Sequence, residues 1–135
     1  MQLHEHFRPK VWEDVCGQDK AVRKIQALAK RGLAGRAYWI SGQSGTGKTT
    51  IARLIASEVA DEWCVEEVDA TGLSAARIAQ LERESQTRGL GKGGRAYIVN
   101  ESHGLNKAAI RQLLVTLERI PGHVCWIFTT TNDGQ

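Results

Sequence analysis

Residues 42–49 read G-Q-S-G-T-G-K-T, and this octapeptide is the strongest single signal in the chain. It matches the pattern G-x-x-x-x-G-K-[ST] at every fixed position, and it lies between a β-rich run at 37–41 and a helical pattern at 49–59. A strand, a glycine-rich turn and a helix in this order aim backbone N–H groups and the positive end of the helix dipole at phosphate oxygens. The sequence therefore predicts a phosphate-binding loop.

The motif gives a role to each side chain of the loop. We expect Lys48 to reach the β and γ phosphates of ATP, and the Thr49 hydroxyl to bind Mg²⁺. The other expected nucleotide contacts are Gly42, Gln43, Ser44, Gly45, Thr46, Gly47 and Thr50. The alternative is a glycine-rich turn with an unrelated lysine, which is disfavoured because the fixed positions and the flanking elements agree.

Short β-rich runs alternate with helix-length segments along the chain. The predicted strands are residues 37–41, 65–69, 96–100 and 124–129, and the predicted helices are residues 19–31, 49–59, 74–88 and 107–119. This alternation is typical of an α/β domain in which helices flank a mainly parallel sheet. Ligands of such sheets bind at the carboxyl ends of the strands.

Helical periodicity predicts which side chains of these helices face the sheet. The residues expected to face inward are Ile51, Leu54, Ile55, Ile78, Leu81, Ile110, Leu113, Leu114 and Leu117. Ser74 is a candidate N-cap of the helix at residues 74–88, since its hydroxyl can accept a hydrogen bond from the first turn.

Composition bounds the class of protein. With 135 residues, 41% of them hydrophobic, the chain predicts one compact domain. We find no apolar stretch of membrane-spanning length and no signal-peptide pattern, which predicts a cytoplasmic protein without a membrane partner. The cysteines Cys16, Cys64 and Cys125 form no C-x-x-C pair and are expected to be reduced.

A second candidate site follows the predicted strand at residues 96–100. Glu101 stands where P-loop ATPases place the carboxylate that orients the attacking water, so it is the candidate general base. Asn100 can accept a hydrogen bond from a Mg²⁺-bound water, although it brings no negative charge. Thr131 and Asn132 follow the last predicted strand and are candidate sensors of the γ phosphate. The plain alternative is that these polar residues only end strands.

Four blocks of the chain resemble the AAA+ ATPases of the clamp-loader branch, which includes the γ/τ subunit of bacterial DNA polymerase III and the small subunits of replication factor C. Residues 8–18 resemble the entry arm of that branch, R-P-x-x-(F/W)-x-D-(V/I)-x-G-Q, and residues 42–49 resemble its P-loop. Residues 100–105 are similar to D-E-x-H-x-L. The most specific block, residues 113–131, is similar to L-L-K-T-L-E-x-P-P-x-H-V followed by A-T-T.

The resemblance implies a truncated AAA+ core. It implies a sheet of order 5-1-4-3-2 with four strands present, an adenine-contacting arm at residues 1–18, and an ATPase core at residues 19–135 that stops before the fifth strand and the helical lid. The residues implied to lie near the adenine are Arg8, Pro9, Val15 and Gly17. The implied partners are AAA+ neighbour subunits in a ring or arc, a sliding clamp and primer-template DNA.

Three departures from the family pattern leave more than one function open. Asn100 stands where the pattern has Asp, a cysteine-rich zinc module is lacking, and the chain ends before the Ser-Arg-Cys motif. The chain is therefore either a clamp-loader-like ATPase, a nucleotide-dependent structural switch with weak hydrolysis, or another AAA+ remodeller such as a branch-migration motor. Basic residues between positions 20 and 36 could contact DNA, but an ordinary solvated helix face is favoured.

Overall fold

The computed structural model describes residues 2–3, 34–42, 47–87 and 93–131. The strands are β1 (Gln2–Leu3), β2 (Arg36–Gly42), β3 (Val65–Asp69), β4 (Arg95–Asn100) and β5 (Val124–Thr131). The helices are α1 (Lys48–Val59), α2 (Ala75–Glu84) and α3 (Lys107–Glu118), with 3-10 turns at Glu62–Cys64, Ala70–Gly72 and Ser102–Gly104. The four predicted strands are confirmed, with small shifts at their ends, whereas the predicted helix at 19–31 lies outside the described residues.

The strands form one sheet in the order β1-β2-β5-β4-β3. β2, β5, β4 and β3 are parallel neighbours, and they reproduce the 1-4-3-2 part of the order that the family resemblance implies. β1 is not predicted by the sequence. It pairs antiparallel with the outer edge of β2, with Gln2 opposite Ser41 and Leu3 opposite Ile40. A piece of the predicted arm thus lies beside β2, where the implied order places a fifth strand.

α1 packs on one face of the sheet through small and aliphatic side chains. Ala52 and Ala56 are fully buried and allow the helix to lie close to Ala96 of β4. Ile51 and Ile55 are buried, as predicted. The other residues of this cluster are Tyr38, Ile40, Val59, Ala60, Ile98, Cys125 and Ile127, with Leu54 packed against it. Close packing holds α1 in a fixed position above β4 and β5.

The opposite face of the sheet is aromatic. Tyr97 stacks on Trp126 with ring centroids 4.8 Å apart, and Trp126 lies 6.2 Å from Phe128. Stacked pairs of this kind contribute about 0.5–1.5 kcal/mol beyond the buried area. α2 adds Ile78 and Leu81, which are fully buried as predicted.

α3 corrects one prediction from helical periodicity. Ile110 and Leu114 were expected to face the sheet, but they are 44% and 61% exposed. Leu113 is buried and Leu117 packs against the same cluster, as predicted, and the other buried residues of α3 are Ala109 and Thr116. The Thr116 hydroxyl donates to Glu82 Oε1 of α2 at 2.7 Å, so the contact between the two helices includes a partly buried polar bond.

α2 begins as predicted and ends sooner. The Ser74 hydroxyl accepts a hydrogen bond from the Arg77 N–H at 3.1 Å, which confirms the N-cap. The helix ends at Glu84 rather than near residue 88. The Ser85 hydroxyl and the Gln86 amide both donate to the Glu82 carbonyl, and such side-chain bonds compete with continued helix.

Two of the three cysteines lie in the described part of the chain, and Cys16 lies outside it. Cys64 and Cys125 are both free, and burial raises the pKa of the Cys125 thiol. None of the described helices is long and apolar enough to cross a membrane.

Candidate functional site

The phosphate-loop motif joins β2 to α1, as the sequence predicts. β2 ends at Gly42 and α1 begins at Lys48, while residues 43–46 lie outside the described part of the chain. Gly47 precedes the helix with φ of 85°, in the left-handed region where a residue with a Cβ is strained. The glycine is therefore required by the backbone at the point where the loop turns into the helix.

The start of α1 has the chemistry of an anion site. The first turn of this fully described helix contains no acidic residue, and Gly47 has no side chain with which to cap its N–H groups. Lys48 is buried, Thr49 is partly buried and Thr50 is exposed. N–H groups and a lysine at one helix start suit the oxygens of a polyphosphate.

The second predicted site lies at the carboxyl ends of β4 and β5. The Asn100 Nδ2 group donates to Glu67 Oε2 at 2.8 Å, and Asn100 Oδ1 accepts from the Thr129 hydroxyl at 2.9 Å. Both ends of the Asn100 amide are therefore held by neighbouring strands. Thr129 has 1% of its surface exposed, so the Thr129 end of this bond is buried.

Glu101 adopts an unusual backbone conformation directly after β4. Its φ is 56° and its ψ is 52°, and Glu101 is the only non-glycine residue with positive φ in the described ranges. A non-glycine residue in this region carries strain of order 1 kcal/mol, and such strain is found at functional sites more often than elsewhere. Because of this conformation, the Glu101 side chain does not continue the alternation of side chains along β4.

The Glu101 carboxylate contacts one predicted site residue, Thr131, and one residue that was not predicted, His103. The Thr131 hydroxyl lies 3.0 Å from Oε1 and 3.2 Å from Oε2, so it donates to this carboxylate. His103 Nε2 is 3.5 Å from Oε2, and the other ring nitrogen, Nδ1, lies 3.3 Å from the Thr130 hydroxyl. The structure thus brings together the candidate base and one of the two candidate sensors.

Arg53 and Glu67 connect the two sites and were not identified from the sequence. Arg53 of α1 makes a two-point contact with Glu67 of β3, with Nε to Oε1 at 2.9 Å and Nη2 to Oε2 at 3.0 Å. This hydrogen bond lowers the pKa of the Glu67 carboxyl, with a smaller contribution from the Asn100 bond. Arg53 lies one helical turn after Thr49, on the same face of α1. The start of α1 and the end of β4 are therefore linked through Arg53, Glu67 and Asn100.

The residues at these two sites have the chemistry to bind Mg²⁺. Mg²⁺ prefers oxygen ligands and keeps several of its waters. The Thr49 hydroxyl, the Asn100 amide oxygen and the Glu101 carboxylate supply oxygens on or beside one face of the sheet. Together with phosphate oxygens, this set could hold Mg²⁺, and Asn100 would contact the metal mostly through a water molecule.

Several predicted contacts lie outside the described residues. The residues in question are Arg8, Pro9, Val15, Gly17, Gln43, Ser44, Gly45, Thr46 and Asn132. Their roles at the adenine, the phosphates and the γ-phosphate sensor remain predictions from the sequence.

A family comparison decides what kind of domain this is. Residues 38–135 match the model of the ATPase family associated with various cellular activities (AAA). The chain belongs to this family. The match begins in β2 and covers both candidate sites, so the AAA+ fold predicted from the motif blocks is confirmed.

Curated relatives that match nearly the whole chain are subunits of DNA polymerase III, which confirms the resemblance that the sequence blocks indicated. The tau subunit of DNA polymerase III from Bacillus subtilis is 30% identical over 98% of this chain and 28% of its own length. The gamma subunit from Buchnera aphidicola is 26% identical over 96% of this chain and 42% of its own length. The chain thus spans about a quarter to two fifths of these relatives.

Solved structures of related proteins have the same fold. The RuvB Holliday junction branch migration motor of Thermotoga maritima superposes with a TM-score of 0.67 at 25% identity, over 91% of this chain and 41% of RuvB. A gamma subunit-related protein from the same organism superposes with a TM-score of 0.64 at 15% identity, over 78% of this chain and 38% of that protein. The second likeness supports the fold alone.

Proposed function

We propose that this chain is the ATP-binding core of a clamp-loader-like AAA+ subunit that hydrolyses ATP with the help of Mg²⁺. The observation that carries the proposal is the placement of α1. This helix begins with Lys48 and Thr49 and packs on one face of the sheet. Asn100 lies on the same face and donates to Glu67, which in turn pairs with Arg53 of α1. A phosphate-binding helix start beside a polar strand end is the arrangement that phosphoryl transfer to water requires.

The residues divide the reaction between them. Lys48 and the N–H groups of α1 bind the β and γ phosphates, and the Thr49 hydroxyl would hold Mg²⁺. Mg²⁺, when bound, neutralises charge that develops on the phosphate oxygens. Glu101 orients the attacking water and accepts its proton, since its carboxylate has acceptor positions beyond the one that Thr131 occupies. Thr131 holds this carboxylate in place through the same hydrogen bond.

The cellular role rests on the relatives and on one surface feature. Relatives named as subunits of DNA polymerase III support a role in DNA replication in the cytoplasm, beside AAA+ neighbours in a ring or arc and with primer-template DNA. Ile110, Leu114 and Val115 are exposed apolar residues on α3. An exposed apolar helix face of this kind suits a protein partner, such as a sliding clamp.

A second candidate function is a nucleotide-dependent switch with weak hydrolysis. Asn100 carries no charge, and the Glu101 carboxylate is engaged by Thr131. Both features would slow water attack without preventing ATP binding. A branch-migration motor is a third candidate, which the likeness to RuvB favours.

Steady-state ATP hydrolysis by the full-length protein, with and without primer-template DNA, tests the proposal. Glu101→Gln should keep ATP affinity and lower turnover by about 100-fold or more, because the base is lost and the shape is kept. Glu118→Gln is the matched control, since Glu118 is an exposed carboxylate at the end of α3. Wild-type turnover equal to that of Glu101→Gln, with ATP still bound, would favour the switch.

ATP affinity tests the phosphate site separately. Lys48→Ala should reduce the affinity strongly, whereas Lys107→Ala, which removes an exposed lysine from α3, should not. Unchanged ATP affinity in Lys48→Ala would mean that residues 42–49 do not bind the phosphates of ATP. Turnover that primer-template DNA stimulates, with no migration of Holliday junctions by the protein, would favour the loader over the motor.

A further inference from the structure

The amide of Asn100 is held in one of its two orientations. Its nitrogen donates to Glu67 Oε2 at 2.8 Å, and its oxygen accepts from the Thr129 hydroxyl at 2.9 Å. Glu67 is itself fixed by the two-point contact with Arg53. A carboxylate bound to a guanidinium only accepts hydrogen bonds, so the nitrogen of Asn100 must face Glu67.

The order of the strands decides toward which side of β4 the Asn100 oxygen points. β4 lies between β3, which carries Glu67, and β5, which carries Thr129. β5 in turn lies beside β2, the strand that leads into the phosphate loop, with Thr129 opposite Ile40. The oxygen of Asn100 is therefore on the side of the phosphate loop, and its nitrogen is on the far side.

The alternation along the strands places the same atoms on the α1 face. Ala96 and Ile98 belong to the cluster beneath α1, and Asn100 continues that alternation at the end of β4. Cys125 and Ile127 belong to the same cluster, and Thr129 continues it on β5. The Asn100 oxygen thus faces the side of the sheet on which α1 begins with Lys48 and Thr49.

We propose that Glu67 and Thr129 are positioning residues that keep the Asn100 oxygen, rather than its nitrogen, directed toward the metal bound with the nucleotide. This inference rests on the proposed function. The reversed amide would direct two N–H donors at a cation, which is repulsive, and a freely rotating Asn100 would spend part of its time reversed. Glu67 thereby makes an uncharged residue useful at a position where the family pattern has Asp.

The same geometry opposes an aspartate at position 100. Asn100→Asp would place a second carboxylate at hydrogen-bonding distance from Glu67, where two acceptors repel each other. Glu67→Gln restores a donor that can face the new carboxylate. The charge at position 100 should therefore improve metal binding fully only when Glu67 is changed as well.

The test measures how much Mg²⁺ strengthens the binding of a fluorescent, non-hydrolysable ATP analogue to the full-length protein. The affinity is measured in excess EDTA and in saturating Mg²⁺, and the ratio of the two is the Mg²⁺ enhancement. Loss of groups that orient a metal ligand typically weakens metal affinity by 10-fold or more. Glu67→Ala should therefore lower the enhancement by about 10-fold and leave the affinity in EDTA unchanged, and Thr129→Val should act in the same direction.

The adjacent residue on β3 provides a matched control. Glu66 pairs with Arg77 of α2 on the opposite face of the sheet. Glu66→Ala removes an equivalent carboxylate and ion pair without touching Asn100, so it should leave the Mg²⁺ enhancement unchanged. An equal effect of Glu66→Ala and Glu67→Ala would overturn the positioning role, because the effect would then follow general charge or stability.

The double variant gives a second, independent result. Asn100→Asp with Glu67→Gln should show a larger Mg²⁺ enhancement than Asn100→Asp alone. A single variant equal to the double would overturn the inference while leaving ATP binding intact. A wild-type protein that binds no analogue in either condition would overturn the proposed function, and the positioning role with it.

Discussion

α1 and α3 are both helices of 12 residues with apolar periodicity, and they lie on opposite faces of the sheet. α1 buries Ile51, Ile55 and two alanines against the central strands. α3 buries a threonine and leaves Ile110 and Leu114 exposed. The same sequence pattern thus has two outcomes, one in which the apolar stripe forms the core and one in which part of it forms a surface.

The difference between the helices follows from what each contacts. α1 lies on the sheet through side chains small enough for close approach, and that contact holds the first residues of this helix in place. α3 contacts α2 through the bond between Thr116 and Glu82, and Arg119 pairs with the same Glu82 at 2.8 Å. We expect this polar contact to fix the rotation of α3, with part of its apolar stripe turned outward.

Truncation of one apolar side chain on each helix should give the largest contrast. Ile55→Ala should lower the free energy of unfolding by about 2–5 kcal/mol, since Ile55 is fully buried and its removal leaves a cavity. Leu114→Ala should change it by less than about 0.5 kcal/mol, since Leu114 is 61% exposed. Urea unfolding measures both. Similar losses in the two variants would mean that Leu114 is buried in the protein in solution.

The sequence predicted α1 more accurately than α3 for a physical reason. Periodicity identifies an apolar stripe, but the neighbouring element decides how much of the stripe is covered. Ile51 and Ile55 lie over a sheet, which is broad, whereas Ile110 and Leu114 lie beyond the edge of the contact with α2 and the sheet. Burial of Thr116 depends on Glu82, which is 34 residues away in sequence.

The candidate site shows the same limit. The phosphate motif, Asn100, Glu101 and Thr131 are recognisable because each lies in a local pattern. β4 ends where expected, whereas β5 continues past its predicted end at residue 129 and includes Thr131. The contact between Arg53 and Glu67 joins a helix to a strand and has no local signature. One available signal was Thr129, a polar residue that continues the buried alternation of Cys125 and Ile127.

Substitution of one glycine near the end of α1 and of another near the end of α3 should give the next largest contrast in stability. A Cβ at Gly94 would lie 2.1 Å from the carbonyl oxygen of Val59, the last residue of α1. A Cβ at Gly122, in the turn after α3, would meet no atom within 4 Å. Gly94→Ala should therefore cost about 1–3 kcal/mol through overpacking, and Gly122→Ala should cost much less. Equal thermal midpoints for the two variants would show that the end of α1 does not lie in close contact with Gly94, the residue before β4.

The polar bond that orients α3 should have a smaller effect. Thr116→Val keeps the shape of the side chain and removes the donor to Glu82, which should cost about 1 kcal/mol. Glu82→Gln and the double variant complete a thermodynamic cycle. A coupling energy near zero, measured by urea unfolding, would mean that the bond does not hold α3 in its rotation.

Tyr97, on the α2 and α3 side of β4, should have the smallest effect at neutral pH and a clear one in alkali. Its hydroxyl is 3.4 Å from the Leu81 carbonyl, a long contact, so Tyr97→Phe should change stability at pH 7 by less than about 1 kcal/mol. Burial raises the pKa of Tyr97 to about 12, whereas in the unfolded chain the phenol ionises near its ordinary pKa of 10.0. Between these values the unfolded chain releases a proton that the folded protein keeps, so stability falls as pH rises, by up to about 1.4 kcal/mol per pH unit.

Tyr97→Phe removes this contribution, and the variant should therefore lose less stability than the wild type between about pH 10 and pH 12. Urea unfolding at several alkaline pH values measures the two slopes, and their difference isolates Tyr97 from the lysines and the other tyrosine that titrate in both proteins. Because Tyr97 stacks on Trp126 beneath α2 and α3, a reduced slope would show that this face excludes water as completely as its aromatic packing implies. Equal slopes would mean that water reaches the phenol, and that the core on this side is looser than the core beneath α1.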